Sequence, residues 1–186
     1  MPLTHKPFII IAGMLGAGCT HVAEILSRKL GISYINSEKI LREIVVEKGI
    51  SYAQFAQLVS SGEVDIEKLV RSELLDYVNE RNIIIEGRSG LIVLDRKADI
   101  KVFLWAPEDY RASLVAKRRK ISLDEALEQV QISDEERRNL VRRLHKRDWL
   151  DLNLYDLVIN TGKWSYEEVA EIILNAYRMR LKNRGS

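Results

Sequence analysis

Short apolar runs alternate along the chain with longer segments of helical periodicity. Five runs rich in β-branched and apolar residues predict strands, over residues 8–12, 32–35, 82–85, 100–105 and 157–159. In the last helical segment one apolar stripe, predicted to pack on the sheet, comprises Val169, Ile172, Ile173, Ala176 and Tyr177. Strands that alternate with helices predict an α/β fold, a five-stranded parallel sheet sandwiched by helices. Ligands of such sheets bind beyond the carboxyl ends of the strands.

The starts of several helices are marked by the capping-box pattern of serine followed three residues later by Glu or Gln. It occurs at Ser51/Gln54, Ser122/Glu125, Ser133/Glu136 and Ser165/Glu168. The apolar spacing that begins at residue 123 lapses over residues 131–139 and resumes at residue 140. We therefore predict two helices there, joined by a hinge, with a fresh helix start at Ser133.

Composition limits the class of protein. A chain of 186 residues, 46% hydrophobic and 30% charged, suits a single domain over residues 1–186. Because no run approaches the roughly 18 consecutive apolar residues of a membrane helix, and no signal sequence is found, we expect a cytoplasmic protein. With 29 basic and 27 acidic residues the formal charge is +2, so any basic site must be local.

A glycine-rich loop follows the first predicted strand. It runs from Gly13 to Thr20 (GMLGAGCT) and leads into a helical pattern, the context that a phosphate-binding P-loop requires. The predicted phosphate ligands are backbone groups of Gly13, Gly16, Ala17, Gly18, Cys19 and Thr20. The Thr20 hydroxyl stands where the motif provides a ligand for magnesium. The alternative is an ordinary glycine-rich turn with a small buried cysteine.

Cys19 stands where the P-loop motif has lysine. A lysine about 4 Å from a phosphate oxygen is worth roughly 4 kcal/mol at an effective dielectric near 20, or about three decades of rate if realised only in the transition state. At a helix start the pKa of the cysteine would tend to fall, although we expect the neutral thiol when nucleotide is bound. Other cations must therefore supply the missing charge.

Two later segments offer such cations. A helix that starts near Ser37 carries Arg42, and the third strand ends in Glu86, Gly87 and Arg88. The acid can hold magnesium through water or orient the attacking phosphate, and the arginines can grip a phosphate. The alternative is that Glu86 and Arg88 pair with each other or with Arg42.

Ten of the 29 basic residues lie within residues 117–147. They are Lys117, Arg118, Arg119, Lys120, Arg137, Arg138, Arg142, Arg143, Lys146 and Arg147. A mobile basic hairpin of this kind is typical of a kinase lid, which closes over the nucleotide and excludes water. A solvated charged face is the alternative for each residue taken singly.

Together these segments resemble the nucleoside monophosphate kinases, and within them the cytidylate kinase-like family of P-loop proteins. The similarity extends over nearly the whole chain, and its most specific parts are residues 86–90 (EGRSG) and 155–161 (YDLVINT). The resemblance implies a helical monophosphate-binding insert at about 37–80 and a lid at about 117–147, with ATP at the glycine loop.

The resemblance also implies roles for single residues. Arg42 and Arg88 would hold the acceptor phosphate, and Arg118 and Arg137 would be the lid arginines. From the residues themselves we add Glu86, which would act with Thr20 at magnesium, and we take Arg118, Arg137 and Glu86 as the catalytic residues. Leu114 occupies a position where related enzymes carry an arginine that packs on adenine.

Our main hypothesis is ATP-dependent phosphoryl transfer to a nucleoside monophosphate, CMP or dCMP by resemblance, with Mg²⁺ as cofactor. The expected partners are these two nucleotides, without membrane or nucleic acid, and the expected assembly is a monomer or weak homodimer. One alternative is a nucleotide-binding regulator without turnover. The other is a nucleic-acid-binding protein that uses the basic hairpin, although interleaved acidic residues disfavour a continuous basic groove.

Overall fold

The computed structural model describes residues 5–184, and for Arg184 the backbone alone. The strands in this part are β1 (Phe8–Gly13), β2 (Ser33–Ile35), β3 (Ile83–Glu86), β4 (Ile100–Trp105) and β5 (Leu157–Asn160). The helices are α1 (Cys19–Leu30), α2 (Ser37–Glu47), α3 (Tyr52–Ser60), α4 (Ile66–Glu80), α5 (Arg88–Ile92), α6 (Glu108–Arg119), α7 (Leu123–His145) and α8 (Tyr166–Arg184), with a 3-10 turn at Leu152–Leu154. All five predicted strands are confirmed, with ends that differ by one residue at most.

The five strands form one parallel sheet in the order β2-β3-β1-β4-β5. β1 is central, and its register places Ile11 beside both Glu86 of β3 and Val102 of β4. The carboxyl ends of β1, β3 and β4 therefore meet at one edge of the sheet, where the glycine loop also begins. The predicted α/β fold is confirmed.

Alternate residues of β1 enter two separate apolar layers, as a parallel sheet covered on both faces requires. Phe8 and Ile10 pack with residues of α2, α4, α5 and α7 on one face. Ile9 and Ile11 pack with α1 and α8 on the other. The predicted stripe of α8 lies in this second layer, with Val169, Ile173 and Tyr177 buried and Ile172 and Ala176 partly buried.

Three of the four predicted capping boxes are present. At Ser51 and Ser122 the serine hydroxyl accepts a hydrogen bond from the backbone N–H three residues later, and the side chain of that later residue accepts one from the serine N–H. Ser165 and Glu168 make the same two hydrogen bonds. The predicted helix start at Ser133 is wrong, because α7 runs unbroken through it from Leu123 to His145.

The predicted hinge within residues 131–139 is wrong for the same reason, and the turn of the basic hairpin lies instead between α6 and α7. The buried face of α7 continues from Val130 through Ser133 to Leu140, and Arg137 lies on this same side. At helical spacing these positions share one face. The apolar pattern lapses because this part of the face turns toward a polar site rather than toward the core.

Three helices, α2, α3 and α4, occupy the segment for which we predicted a monophosphate-binding insert. They contribute Ile40, Phe55 and Leu74 to the first apolar layer. Within residues 5–184, no helix is both long and apolar enough to cross a membrane.

The corrected start of α7 can be tested by comparing two serines. Ser122→Ala removes the side-chain acceptor that caps the helix and should lower the free energy of unfolding by about 1 kcal/mol. At Ser133 both Ala and Gly remove the hydroxyl that Arg137 Nη1 contacts, so these two variants are compared with each other, and inside a helix the Ala variant should be the more stable by about 1 kcal/mol. Urea unfolding measures all three variants, and a Gly variant more stable than the Ala variant at position 133, the order expected at an N-cap, would contradict the continuous helix.

Candidate active site

The glycine loop turns tightly between β1 and α1, the strand, loop and helix arrangement that the sequence predicts. Gly16 and Gly18 adopt φ angles of 83° and 86°, in the left-handed region that favours glycine. Within residues 5–184 the N–H groups of these two glycines donate to no protein acceptor. They are therefore free to bind an anion, together with the amino end of α1.

Close neighbours also require glycine in this loop. A Cβ on Gly18 would lie 2.2 Å from the ring of Tyr166, and a Cβ on Gly16 would lie 2.8 Å from the carbonyl oxygen of Arg111. The loop is thus pressed between α6 on one side and the start of α8 on the other. Its conformation is fixed by this packing as well as by its own sequence.

A cavity of about 90 Å³ opens above the loop. Its lining combines residues 13–16 and 18–21 with Glu86 and Gly87 from the end of β3, Arg118 from α6 and Arg137 from α7. The fold therefore brings to one place the loop and three charged side chains that the sequence analysis assigned to catalysis. Their catalytic roles are taken up under the proposed function.

Glu86 is the acidic group of this cavity and is only 2% exposed. Its Oε1 accepts hydrogen bonds from Thr20 Oγ1 at 3.0 Å and from Asn36 Nδ2 at 2.6 Å. Burial raises the pKa of Glu86 above its ordinary value of 4.5, and the bonds from Asn36 and Thr20 oppose this rise. The alternative that Glu86 pairs with Arg88 or Arg42 is wrong.

These oxygens suit a magnesium ion. Mg²⁺ prefers oxygen ligands and is usually held by one or two protein groups together with waters and substrate phosphates. Thr20 and Glu86 provide a hydroxyl and a carboxylate side by side. The Glu86 carboxylate forms no ion pair within the described residues, so a cation would compensate its buried charge.

Cys19 behaves differently from the sequence-based expectation. Its side chain is 8% exposed, and its Sγ would lie 2.7 Å from a Cβ placed on Gly13. Burial, followed by the negative charge of Glu86, raises the pKa of Cys19 to about 12. The expected fall of this pKa is wrong because desolvation outweighs the position at the helix start, and the thiol is neutral at physiological pH.

Arg137 is held on α7 with its Nη1 bonded to the hydroxyl and carbonyl of Ser133. Its Nε is buried and has no acceptor within residues 5–184. Burial lowers the pKa of Arg137, but a guanidinium stays protonated in proteins. A cation that forms no ion pair within the described residues, and that has a buried donor without an acceptor, therefore lines the cavity next to an exposed Arg118.

Arg42 and Arg88 do not line this cavity. Arg42 is paired with Glu38 on its own helix at 3.1 Å, and Arg88 is paired with Glu136 of α7 at 3.1 Å. Both arginines are well exposed, so these ion pairs are weak. Ser37 and Ser89, near the starts of the two helices that carry them, share a hydrogen bond of 2.8 Å, which keeps those helix starts together.

A second cavity of about 410 Å³ adjoins the first and shares Gly16, Gly18, His21 and Arg118 with it. Leu114 and Val115 of α6 form one wall, and the ring of Tyr166 forms another. Tyr166 stacks on His21 with ring centroids 5.0 Å apart and planes inclined by 16°. The arrangement is a largely apolar slot that opens directly beside the anion cavity.

Similarity to known proteins agrees with this geometry. The sequence model of the cytidylate kinase-like family matches residues 8–163. The chain belongs to the cytidylate kinase-like family. A cytidylate kinase from Methanobrevibacter smithii is 34% identical over 172 residues, covering 92% of this chain and 98% of that protein. One from Sulfolobus acidocaldarius is 36% identical over 167 residues, covering 89% and 91%.

Solved structures show the same fold. A protein from Eubacterium ventriosum superimposes with a TM-score of 0.73 at 19% identity, covering 93% of this chain and 99% of that one. Shikimate kinase from Acinetobacter baumannii superimposes with a TM-score of 0.63 at 18% identity, covering 96% and 94%. Family membership confirms the prediction that the chain is a nucleoside monophosphate kinase, while these structures support the fold alone.

Sequence reasoning missed several residues of the kinase site. Asn36 donates to Glu86 while its Oδ1 caps α2 by accepting from the backbone of Lys39. Tyr166 closes the apolar slot, and Arg111 lies buried beneath the loop. Asn36 does follow a predicted strand directly, as Glu86 does, and that shared position is a signal the sequence offered.

Replacing Glu86 tests its electrostatic state. Because the pKa of Glu86 is raised in the folded protein, ionisation of this carboxyl at higher pH lowers the free energy of unfolding. The loss vanishes at acid pH, where the carboxyl is protonated in both the folded and the unfolded protein. Without magnesium, Glu86→Gln should therefore be more stable than wild type at pH 7, by a margin that shrinks as the pH falls toward 4.5. Its turnover should fall roughly 100-fold.

Denaturant unfolding at several pH values measures the margin. Glu47→Gln, an exposed carboxylate on α2, is the matched control and should show no such trend. A Glu86→Gln protein that is less stable at pH 7 than wild type would contradict the assigned pKa direction.

Proposed function

We propose that the kinase transfers the γ-phosphoryl group of ATP to the phosphate of a pyrimidine nucleoside monophosphate, CMP or dCMP, with Mg²⁺. The observation that carries the proposal is one cavity lined both by the glycine loop, where the N–H groups of Gly16 and Gly18 have no acceptor within residues 5–184, and by Arg137, whose buried Nε has none either. Such donors call for an anion. The curated relatives named cytidylate kinases favour CMP as acceptor.

The chemistry demands positioning and charge neutralisation more than proton transfer, because the acceptor is already an anionic phosphate. Backbone N–H groups of Gly16, Gly18, Cys19 and Thr20 hold the donor phosphates. The predicted ligand Ala17 is not among them, because its N–H already donates to the carbonyl of Met14 at 3.1 Å. Thr20 and Glu86 hold magnesium, which when bound neutralises charge on the donor phosphates. Arg118 and Arg137 stabilise the charge that moves with the transferred group.

Arg42 and Arg88 hold the acceptor phosphate, which requires both to leave their present partners. An exposed ion pair is worth about 0 to 1 kcal/mol, whereas a bidentate bond to phosphate is stronger. The acceptor can therefore displace Glu38 and Glu136. In this proposal α2 to α4 form the monophosphate-binding insert, and the hairpin of α6 and α7 forms the lid.

The apolar slot is the donor-base site in this proposal. It opens beside the phosphate cavity, as the base of a nucleotide requires, and Tyr166 and His21 present stacked aromatic faces there. Leu114, in the place of the expected arginine, widens the apolar wall. The base then stacks on a ring rather than on a guanidinium.

The competing hypotheses receive less support. A nucleic-acid surface along residues 117–147 is disfavoured because carboxylates lie among its cations, with Glu135 beside Arg138, Glu67 beside Arg143 and Asp151 beside Arg147, so this surface is not continuously basic. A regulator without turnover is disfavoured by the similarity to cytidylate kinases, which covers 92% of this chain in one relative. We further propose a cytoplasmic enzyme that acts as a monomer or weak homodimer.

Coupled ADP release with a panel of nucleoside monophosphates tests the proposed activity. CMP and dCMP should be turned over, and Arg137→Met should lower kcat roughly 100-fold, the loss typical of a removed transition-state donor. Arg138→Met is the matched control, since it lies next on the same helix and pairs with Glu135. If folded wild type binds ATP but turns over no acceptor, the proposed activity is refuted and the hypothesis of a regulator without turnover is the one that remains.

The donor-base site is tested at Tyr166. Tyr166→Leu removes the ring and should raise KM for ATP about 10-fold, because stacking of a base on an aromatic ring is worth about 1 to 3 kcal/mol. Tyr166→Phe keeps the ring and should leave KM within about 2-fold of wild type. Steady-state kinetics at saturating CMP distinguishes them, and an equal KM for the Leu and Phe variants would place the base elsewhere.

A further inference from the structure

One buried side chain joins three separate parts of the kinase. Arg111 of α6 is 3% exposed, and its Nε donates to the carbonyl of Ala106 at 2.9 Å. Its Nη1 donates to the carbonyl of Leu15 in the glycine loop at 3.2 Å. The same guanidinium binds Asp134 of α7 with two parallel bonds of 3.0 and 2.7 Å.

The far end of this contact lies on the helix that carries a lid arginine. Asp134 and Arg137 are three residues apart in α7 and share a side of the helix. The side chain of Arg137 is in turn held by Ser133, the residue that precedes Asp134. A displacement of Asp134 would therefore displace Arg137 along with it.

The near end of the contact supports the phosphate loop. The backbone of Gly16 lies against Arg111, since a Cβ on Gly16 would come within 3.1 Å of its Cα, Cβ and O. Arg111 thus contacts the loop through its backbone as well as its guanidinium. Arg111 therefore contacts both the glycine loop and the helix α7.

Stability alone does not account for this arrangement. Replacing a buried ion pair with apolar residues of similar volume is often neutral or stabilising, so such a pair is weak support for a role in stability. What the bidentate bond provides is geometry, because a planar guanidinium fixes the distance and the orientation of its carboxylate. The elements whose separation it fixes are the two that face each other across the phosphate cavity.

We propose that Arg111 and Asp134 are positioning residues for phosphoryl transfer, which hold the guanidinium of Arg137 at a set distance from the glycine loop. The inference rests on the proposed function and extends it to residues that do not line the cavity. Since Cys19 brings no charge to the loop, Arg137 must stand close enough to replace it. A misplacement of about 1 Å in such a site can cost about 100-fold in rate.

The test is a kinetic double-mutant cycle between Asp134 and Arg137. Asp134→Asn should lower kcat roughly 10- to 100-fold and leave KM for ATP within about 3-fold, as expected for a contact that matters in the transition state. In an Arg137→Met background the same change should lower kcat by less than about 2-fold, because its effect passes through Arg137. If the two substitutions instead lower kcat by independent factors that multiply in the double variant, the inference is overturned.

A paired variant separates position from stability. Arg111→Met with Asp134→Leu replaces the buried pair by apolar residues, so the protein should remain folded while kcat falls as in Asp134→Asn. Arg81→Lys alters another ion pair, with Asp99 at the opposite edge of the sheet, and should lower the melting temperature without changing kcat.

The outcomes separate the two proposals. A paired variant with wild-type kcat would overturn the positioning role, and so would an Asp134→Asn variant with unchanged kcat. Wild type without turnover on any monophosphate would instead refute the proposed function, before the cycle is measured.

Discussion

The proposed site depends on how the charge of a polyphosphate is balanced at a loop without lysine. Open N–H groups and the amino end of α1 offer only partial charges, together equivalent to about half an elementary charge. Full positive charge has to come from other elements, and in the proposed function it comes from the last turn of α6 and the middle of α7. The unbroken course of α7 suits this role. Arg137 lies 14 residues beyond the first residue of the helix, a rise of about 21 Å, and a hinge before it would loosen its position.

The same constraint accounts for where the protein buries several of its polar groups. Glu86, Ser89, Arg111 and Ser133 are buried at or next to the carboxyl edge of the sheet, whereas Asp99 is buried at the opposite edge beside Arg81. Burying such groups is costly unless they are hydrogen-bonded. Each has a partner across elements or on its own helix: Asn36 for Glu86, Ser37 for Ser89, Asp134 for Arg111 and Arg137 for Ser133. Four of the buried polar side chains therefore lie where the nucleotide phosphates are proposed to bind.

How much of this could be predicted from the sequence depends on the range of each interaction. The strands, the stripe of α8 and three capping boxes are local patterns, and all are confirmed. The glycine loop was predictable because strand, loop and helix are contiguous. The bond between Arg111 and Leu15 spans 96 positions and exists only because β1 and β4 are neighbours in the sheet. No local pattern could indicate it.

The two errors have related causes. The hinge was predicted because periodicity treats any polar stretch as a break, whereas α7 uses polar residues on its inner face to line a site. For Cys19 the position at a helix start was known, but the direction of Sγ was not. The side chain points beneath the loop toward Gly13, so burial decided the pKa. In both places the deciding quantity was which way a side chain faces, and sequence spacing near a binding site does not determine that.

The two halves of the site differ in how far they are formed. On the donor side the loop is pressed between α6 and α8, and Arg111 ties it to α7, so the anion cavity exists with its donors in place. On the acceptor side Arg42 and Arg88 are bound to exposed carboxylates that a stronger anion can displace. Glu136, the partner of Arg88, belongs to α7, one residue before Arg137. An acceptor phosphate that takes Arg88 would therefore release a contact of the lid helix, while the bond of that helix to Arg111 remains. In the proposed reaction the contacts of the donor half would therefore stay in place while those of the acceptor half rearrange, so the acceptor phosphate would be brought to a donor that is already oriented.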